Sequence, residues 1–202
     1  REAVEIPIFA SLNAFHKEVW VEYAEKLMET GVDGLELNLF NLPTDNSKDS
    51  NTIEAEQIEA LQAVKDAVDI PVAAKISPFY TNIVGLVQRL DECGVDGFVL
   101  FNKLFQPDIN VETEENIYPF NLSSPRDLRL PLRYTGMLHG KIKADICSST
   151  GILNGRDAVK MIMAGAACVQ MVTALYKNDI ESLADMIAEI EEWMDKKCYN
   201  SL

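Results

Sequence analysis

A lysine in the middle of an apolar strand is the first residue to explain. It stands in Val72–Ser77 (VAAKIS) as Lys75, among small apolar side chains. Strand side chains alternate, so Ala73 and Lys75 share one face while Val72, Ala74 and Ile76 share the other. A lysine aimed into a protein interior finds an anion or loses its charge. Two partners are open for it: an anionic ligand, or Glu36 in the neighbouring run Leu35–Asn41 (LELNLFN), which is also predicted to face inward. In that run Asn38 alternates with leucines, and Asn102 closes Phe98–Asn102 (FVLFN). A buried asparagine has both donors and an acceptor to satisfy. Two of them at adjacent strand tops can read the amide and carbonyl pattern of a heterocycle. Each alone can also cap a strand end.

A second set of residues suits phosphate. Ser148-Ser149-Thr150-Gly151-Ile152 is a small-residue turn ahead of a helix. Backbone N–H groups and the helix dipole favour an anion there. Val172-Thr173-Ala174 ends the following strand, and barrel enzymes commonly build a phosphate site from their last two strands. No catalytic triad, zinc-ligand spacing or P-loop is present in the sequence. His16 and His139 are isolated, the first near a helix start and the second in a turn.

These residues need elements to position them. Six apolar runs end in polar or glycine-bearing tails: Ile6–Asn13, Gly34–Asn41, Pro71–Pro78, Gly97–Lys103, Ala144–Gly151 and Cys168–Leu175. Near-continuous apolar runs are strands buried on both faces. Helical periodicity separates them at about Phe15–Thr30, Thr52–Val68, Asn82–Cys93, Gly155–Met163 and Ile180–Lys197. A helix-to-strand joint repeats as Gly31-Val32-Asp33-Gly34 and Gly94-Val95-Asp96-Gly97, with Ala164-Gly165-Ala166 as a looser third copy. The unit is therefore helix-turn-strand, and its strands are expected to be parallel with right-handed crossovers. The stretch from about Leu104 to Tyr134 shows no clean helical pattern and carries Pro107, Pro119, Pro125 and Pro131. It is expected to form an ordered lid insertion over the strand ends, with Ile109–Glu112 and Asn116–Asn121 able to pair as a ribbon. A shorter polar loop, Thr44–Thr52, follows the second run.

Composition narrows the function. The formal net charge is −14 and no Lys/Arg cluster is present, so nucleic acid and anionic membrane are poor partners. An anionic ligand must be held by local donors. Cys93, Cys147, Cys168 and Cys198 form no Cys-x-x-Cys pair, which fits a reduced, cytoplasmic setting. No apolar stretch nears the roughly 18 residues of a membrane span, and no signal peptide is recognised. The chain opens on Arg1, without methionine, so an upstream start is expected. A closed (β/α)8 barrel needs eight units and about 250 residues; six units are counted.

In order, these pieces resemble the dihydroorotate dehydrogenase family of FMN-dependent barrels. PVAAKISPFYTN, LFNKLFQPDIN, LSSPRDLRLPLRY and GRDAVKMIMAGAACVQMVTAL are similar to its dihydroorotate dehydrogenase-like branch. The resemblance covers the whole chain. It implies an α/β fold of the TIM (β/α)8 type, present as about six units (strands 3–8), in one domain over residues 1–202 that is N-terminally incomplete. It implies FMN as cofactor and oxidoreductase chemistry on a CH–CH group of a dihydropyrimidine or similar small molecule. Lys75 then contacts the flavin, and Asn38 and Asn102 lie beside flavin and substrate. Thr150, Gly151 and Ile152, with Val172 and Thr173, form the phosphate cradle; Asn13 ends a strand near the flavin. A homo-oligomer, a dimer, is expected, with no metal. Two departures matter: the N-terminal part that supplies the family's first two strands is expected to lie outside this chain, and the base position differs. The family's cysteine or serine base sits three residues after the strand asparagine, where this chain has Asn41. An amide cannot act as a general base at neutral pH. The alternatives are a non-catalytic flavin- or phosphate-binding barrel and a flavin-free phosphosugar-type lyase or isomerase.

Overall fold

The structure is a computed structural model that describes residues 4–40 and 42–202. Six parallel strands form one sheet: β1 (Phe9–Leu12), β2 (Gly34–Leu39), β3 (Val72–Ile76), β4 (Gly97–Leu100), β7 (Asp145–Ser149) and β8 (Cys168–Gln170). Their spatial order, β1-β2-β3-β4-β7-β8, follows the chain, and every pairing is parallel. Helices α1 (Lys17–Glu29), α2 (Ser50–Ala67), α3 (Ile83–Glu92), α4 (Arg129–Leu138) and α5 (Gly155–Met163) are the connections, and α6 (Thr173–Asn178) and α7 (Ser182–Lys197) follow the last strand. The sheet curls, and the architecture is a partial TIM barrel.

Alternation along the strands decides which face is core. On β3, Val72, Ala74 and Ile76 are fully buried, and Leu35, Leu37, Phe98 and Leu100 join them beneath Leu61, Val64, Leu86 and Leu90 of α2 and α3. The opposite face turns Ser11, Glu36, Ala73 and Gly97 into one layer and Asn38, Lys75, Val99 and Cys147 into the next. One face of the sheet thus packs against helices and the other lines the inside of the curl.

The repeated Val-Asp-Gly joint is a clamp. Asp33 N–H donates to Ile8 O at 2.8 Å while its carboxylate accepts from Ile8 N at 2.7 Å. Asp96 does the same to Val72, at 2.9 and 2.8 Å. Each aspartate therefore sets the entry of the preceding, adjacent strand as its own strand begins. The looser copy lacks the aspartate and keeps only the backbone bond, Ala167 N to Ile146 O at 2.8 Å. Entry into β7 is held instead by Asp91, which accepts from Lys143 N and Ala144 N.

Two helices correct the sequence expectations. Residues 129–138 are helical as α4, inside a stretch expected to lack helix. Pro131 falls in the first turn, where a missing N–H breaks no intrahelical bond, and Thr135 and Leu138 bury the inner face. The run Cys168–Leu175 is strand only to Gln170, and its tail opens α6 at Thr173. The ribbon forms slightly earlier than expected, with β5 (Asp108–Asn110) antiparallel to β6 (Glu115–Ile117).

Candidate functional site

The C-terminal ends of β3, β4, β7 and β8 surround a cavity of about 230 Å³. Lys75, Asn102, Lys103, Ser149, Thr150, Gly151, Ile152, Gln170, Val172 and Thr173 reach it, and Phe120–Ser123 cover one side. In a chain of net charge −14, the residues around this cavity include two lysines and no carboxylate. A cavity of similar size, lined by Pro78, Phe79, Leu104, Arg126 and Leu130, shares Phe101, Asn102, Lys103 and Thr150 with it. A larger one of about 540 Å³, lined by Phe9, Gly97, Asp145 and Cys168, opens at the strand starts. In parallel α/β sheets ligands bind at the carboxyl ends of the strands, which sets the third aside and leaves the first two as adjoining parts of one site.

Lys75 sits in a polar cluster drawn from five strands. Its Nζ donates to Gln170 Oε1 at 2.6 Å and lies 3.4 Å from Glu36 Oε1. Gln170 Nε2 donates to Glu36 Oε2 at 2.8 Å, Ser11 Oγ donates to Glu36 Oε1 at 3.0 Å, and Ser149 Oγ reaches Gln170 Oε1 at 3.4 Å. The Glu36 alternative weighed for Lys75 is thus present, with the lysine still at the cavity wall. Asn102 Nδ2 donates to Asn38 Oδ1 at 2.8 Å, which leaves each amide further groups for a ligand. Asn13 Nδ2 donates to Asn38 O at 2.8 Å, so Asn13 steadies the backbone that carries Asn38.

The turn after β7 has two successive left-handed residues, Thr150 at φ 79° and Gly151 at φ 80°. The Thr150 hydroxyl holds its place by donating to Phe101 O at 2.8 Å. At Gly151 a Cβ would fall 2.4 Å from Leu128 N, so both backbone angle and space require glycine. Thr173 Oγ1 accepts from Ser123 N at 3.0 Å, which ties the covering segment to α6. Lys103 pairs with Asp127 at 2.7 Å, and Asp127 also accepts from Ser124 N at 2.7 Å. Burial works to raise the Asp127 carboxyl; its bonds to Lys103 and Ser124 outweigh that and hold it below its ordinary value.

Of the nine predicted site residues, Lys75, Asn102, Thr150, Gly151, Ile152, Val172 and Thr173 line the cavity, while Asn38 is reached through Asn102 and Asn13 through Asn38. Sequence reasoning missed Gln170 and Lys103, and it had Phe120–Ser123 only as part of the expected Leu104–Tyr134 lid. Gln170 had a signal: in a strand beginning at Cys168 it shares that residue's face and precedes Val172-Thr173. Asn121 and Ser123 had none, because an irregular segment has no period. Asn41, the residue at the base position, lies outside the described residues.

Fold and site define a TIM-barrel protein with a pocket lined by lysines and amides at its strand ends. Residues 1–194 match the family model described as dihydroorotate dehydrogenase. The chain belongs to the dihydroorotate dehydrogenase family. It is 30% identical to the catalytic subunit of dihydroorotate dehydrogenase B (NAD(+)) of Thermoplasma volcanium, over 97% of this chain and 66% of that protein. It is 28% identical to the corresponding subunit of Caldicellulosiruptor saccharolyticus, over 96% of this chain and 66% of the relative. It is 26% identical to dihydroorotate dehydrogenase A (fumarate) of Lactobacillus helveticus, over 93% and 64%. The chain thus spans about two thirds of the length of the relatives it matches.

Proposed function

We propose that this chain carries the cofactor-facing part of an FMN-dependent oxidoreductase of the dihydroorotate dehydrogenase-like type, acting on a CH–CH group of a dihydropyrimidine or similar small molecule. The observation that carries it is the strand-end cavity, with two lysines, paired amides and no carboxylate in a strongly acidic chain. That donor set suits a ligand with an anionic tail and a heterocyclic head. Bound FMN would supply the hydride acceptor. Lys75 would donate to the anionic edge of its ring, and the Asn38–Asn102 pair would orient ring and substrate by their remaining amide groups. The turn Thr150–Ile152 and Val172-Thr173 would hold the phosphate. Leu104–Tyr134 would act as a lid that excludes water, supported by Phe120–Ser123 at the cavity wall and by the Phe120–Tyr176 ring contact at 5.2 Å.

A non-catalytic flavin-binding role is the second reading, and one observation favours it: an amide, Asn41, at the family's base position. The family membership speaks against a flavin-free phosphosugar enzyme. The strong acidity speaks against nucleic-acid partners, and a cytoplasmic setting is part of the same proposal; among the described residues no helix is long and apolar enough to cross a membrane. A homodimer is part of the same proposal, and light scattering would read it.

The test is the visible spectrum of the full-length native protein. A flavin band released as FMN on denaturation is expected. Lys75→Met removes a charge-assisted hydrogen bond of on the order of 1.5–3 kcal/mol, so FMN affinity falls roughly 10- to 100-fold. A colourless protein that takes up no added FMN overturns the proposal. Anaerobic reduction of the bound flavin by dihydropyrimidines separates the enzyme from the binding protein.

A further inference from the structure

Lys75 does not reach the cavity as a solitary charge. Its ammonium is offset by Glu36, a carboxylate only 6% exposed, and Gln170 bridges the two. The bridge has a fixed sense. Gln170 Oε1 faces Lys75 Nζ at 2.6 Å and Nε2 faces Glu36 Oε2 at 2.8 Å. The flipped amide would set its NH2 against an ammonium and its oxygen against a carboxylate, both repulsive. Ser11 and Ser149 occupy further acceptor sites on Glu36 and Gln170. An ammonium has three donors: one goes to Gln170, one points at Glu36 at a looser 3.4 Å, and the third is available to the cavity. The cluster also spans the sheet, since β8 lies three strands from β3.

We infer that Glu36 and Gln170 are positioning residues that set how much positive charge Lys75 presents to its ligand. This rests on the FMN proposal for the site. A bare ammonium favours the reduced, more negative flavin over the oxidised one. Glu36 cancels most of that preference and holds the flavin potential low, while Gln170 fixes the direction of the lysine's remaining donor. A unit charge a few ångströms away in an intermediate dielectric is large enough to act this way.

The test uses the full-length protein reconstituted with FMN, with wild type, Glu36→Gln, Lys75→Met, the double variant and Gln170→Met. Oxidised-FMN affinity is read by titration and the midpoint potential by dye equilibration; circular dichroism checks folding. Glu36→Gln is expected to tighten reduced over oxidised FMN about tenfold, equal to about +30 mV for a two-electron couple. In the Lys75→Met background the same substitution should do almost nothing, because a carboxylate buried this deeply without its cation takes up a proton and leaves no charge to remove. Gln170→Met, which adds no charge, should weaken both oxidation states about equally. Bound flavin with an unchanged potential in Glu36→Gln overturns this inference alone. So does an equal shift with and without Lys75. Should Glu36→Gln not fold, Gln170→Met decides: unchanged FMN affinity overturns the inference. A wild type that binds no FMN overturns both this and the proposed function.

Discussion

At the scale of single residues, the thiols Cys147 and Cys168 have no place in the proposed chemistry yet are paired. They are register partners on β7 and β8. The neighbouring Cys147 thiol holds Cys168 down, at about 7, against the raising effect of burial. Cys147 is pushed up, by the same pairing and by burial. The thiolate is the reactive form, so iodoacetamide labelling of Cys168 should rise through about pH 7. Cys93, raised chiefly by burial, should label only at higher pH. Cys147→Ala should move the Cys168 profile upward; peptide mass spectrometry across pH reads all three. Gly151 yields a second residue-scale expectation. Gly151→Ala meets left-handed strain and backbone overlap together, and should cost about 2–4 kcal/mol in urea unfolding.

At the scale of elements, the Val-Asp-Gly clamps explain why a helix-to-strand joint recurs. Gly31 and Gly94 end their helices at φ 77°, and the following aspartate grips the neighbouring strand's first residues. Asp96 also pairs with Lys65 of α2 at 2.7 Å, so one carboxylate ties β4, β3 and a helix together. Burial works to raise the Asp96 carboxyl, but the bonds from Lys65 and Val72 outweigh it and leave it below its ordinary value. A carboxyl lowered in the folded state adds stability above its unfolded value, about 3.9, and loses it as pH falls through the folded value. Asp96→Ala should therefore cost about 1–2 kcal/mol at neutral pH, near the low end for charged hydrogen bonds because the side chain is half exposed. The difference from wild type should shrink below about pH 4. Urea titrations at pH 7 and pH 3.5 measure it, and a penalty equal at both would refute the electrostatic part.

At the scale of the whole molecule, the curl brings residues far apart in sequence to one point. Glu36 and Gln170 touch across 134 positions, and Ser123 meets Thr173 across 50. The same scale frames the substrate question. Dihydroorotate oxidation needs a base within hydrogen-bond reach of the substrate carbon, and such a base is worth roughly 10²–10⁴-fold. On the proposed FMN reading, and with an amide at residue 41, anaerobic dihydroorotate should bleach the flavin of the full-length protein slowly or not at all. Asn41→Cys should restore part of the rate. Fast bleaching by wild type, at about 1–10³ s⁻¹, would send the search for the base to Thr44, Asp45 and Ser47 in the adjoining loop.

How much was legible in the sequence follows from period and range. The strand cores, five helices, their parallel order and the inward face of Glu36, Asn38 and Lys75 were legible, because alternation and helical spacing are local signals. The turn at Thr150–Gly151 ahead of α5 was legible because small residues and glycine mark a chain reversal. Helix α4 was masked by prolines, although one in a first turn removes no bond. Short α6 had too few residues to show a period. Gln170 as the bridge between Lys75 and Glu36, Ser123 on Thr173, and the Cys147–Cys168 pair belong to the tertiary structure alone. They depend on strand register and on the closing angle of the sheet, which no stretch of sequence encodes by itself. The sequence determined which residues face inward; only the curled sheet decided which of them meet.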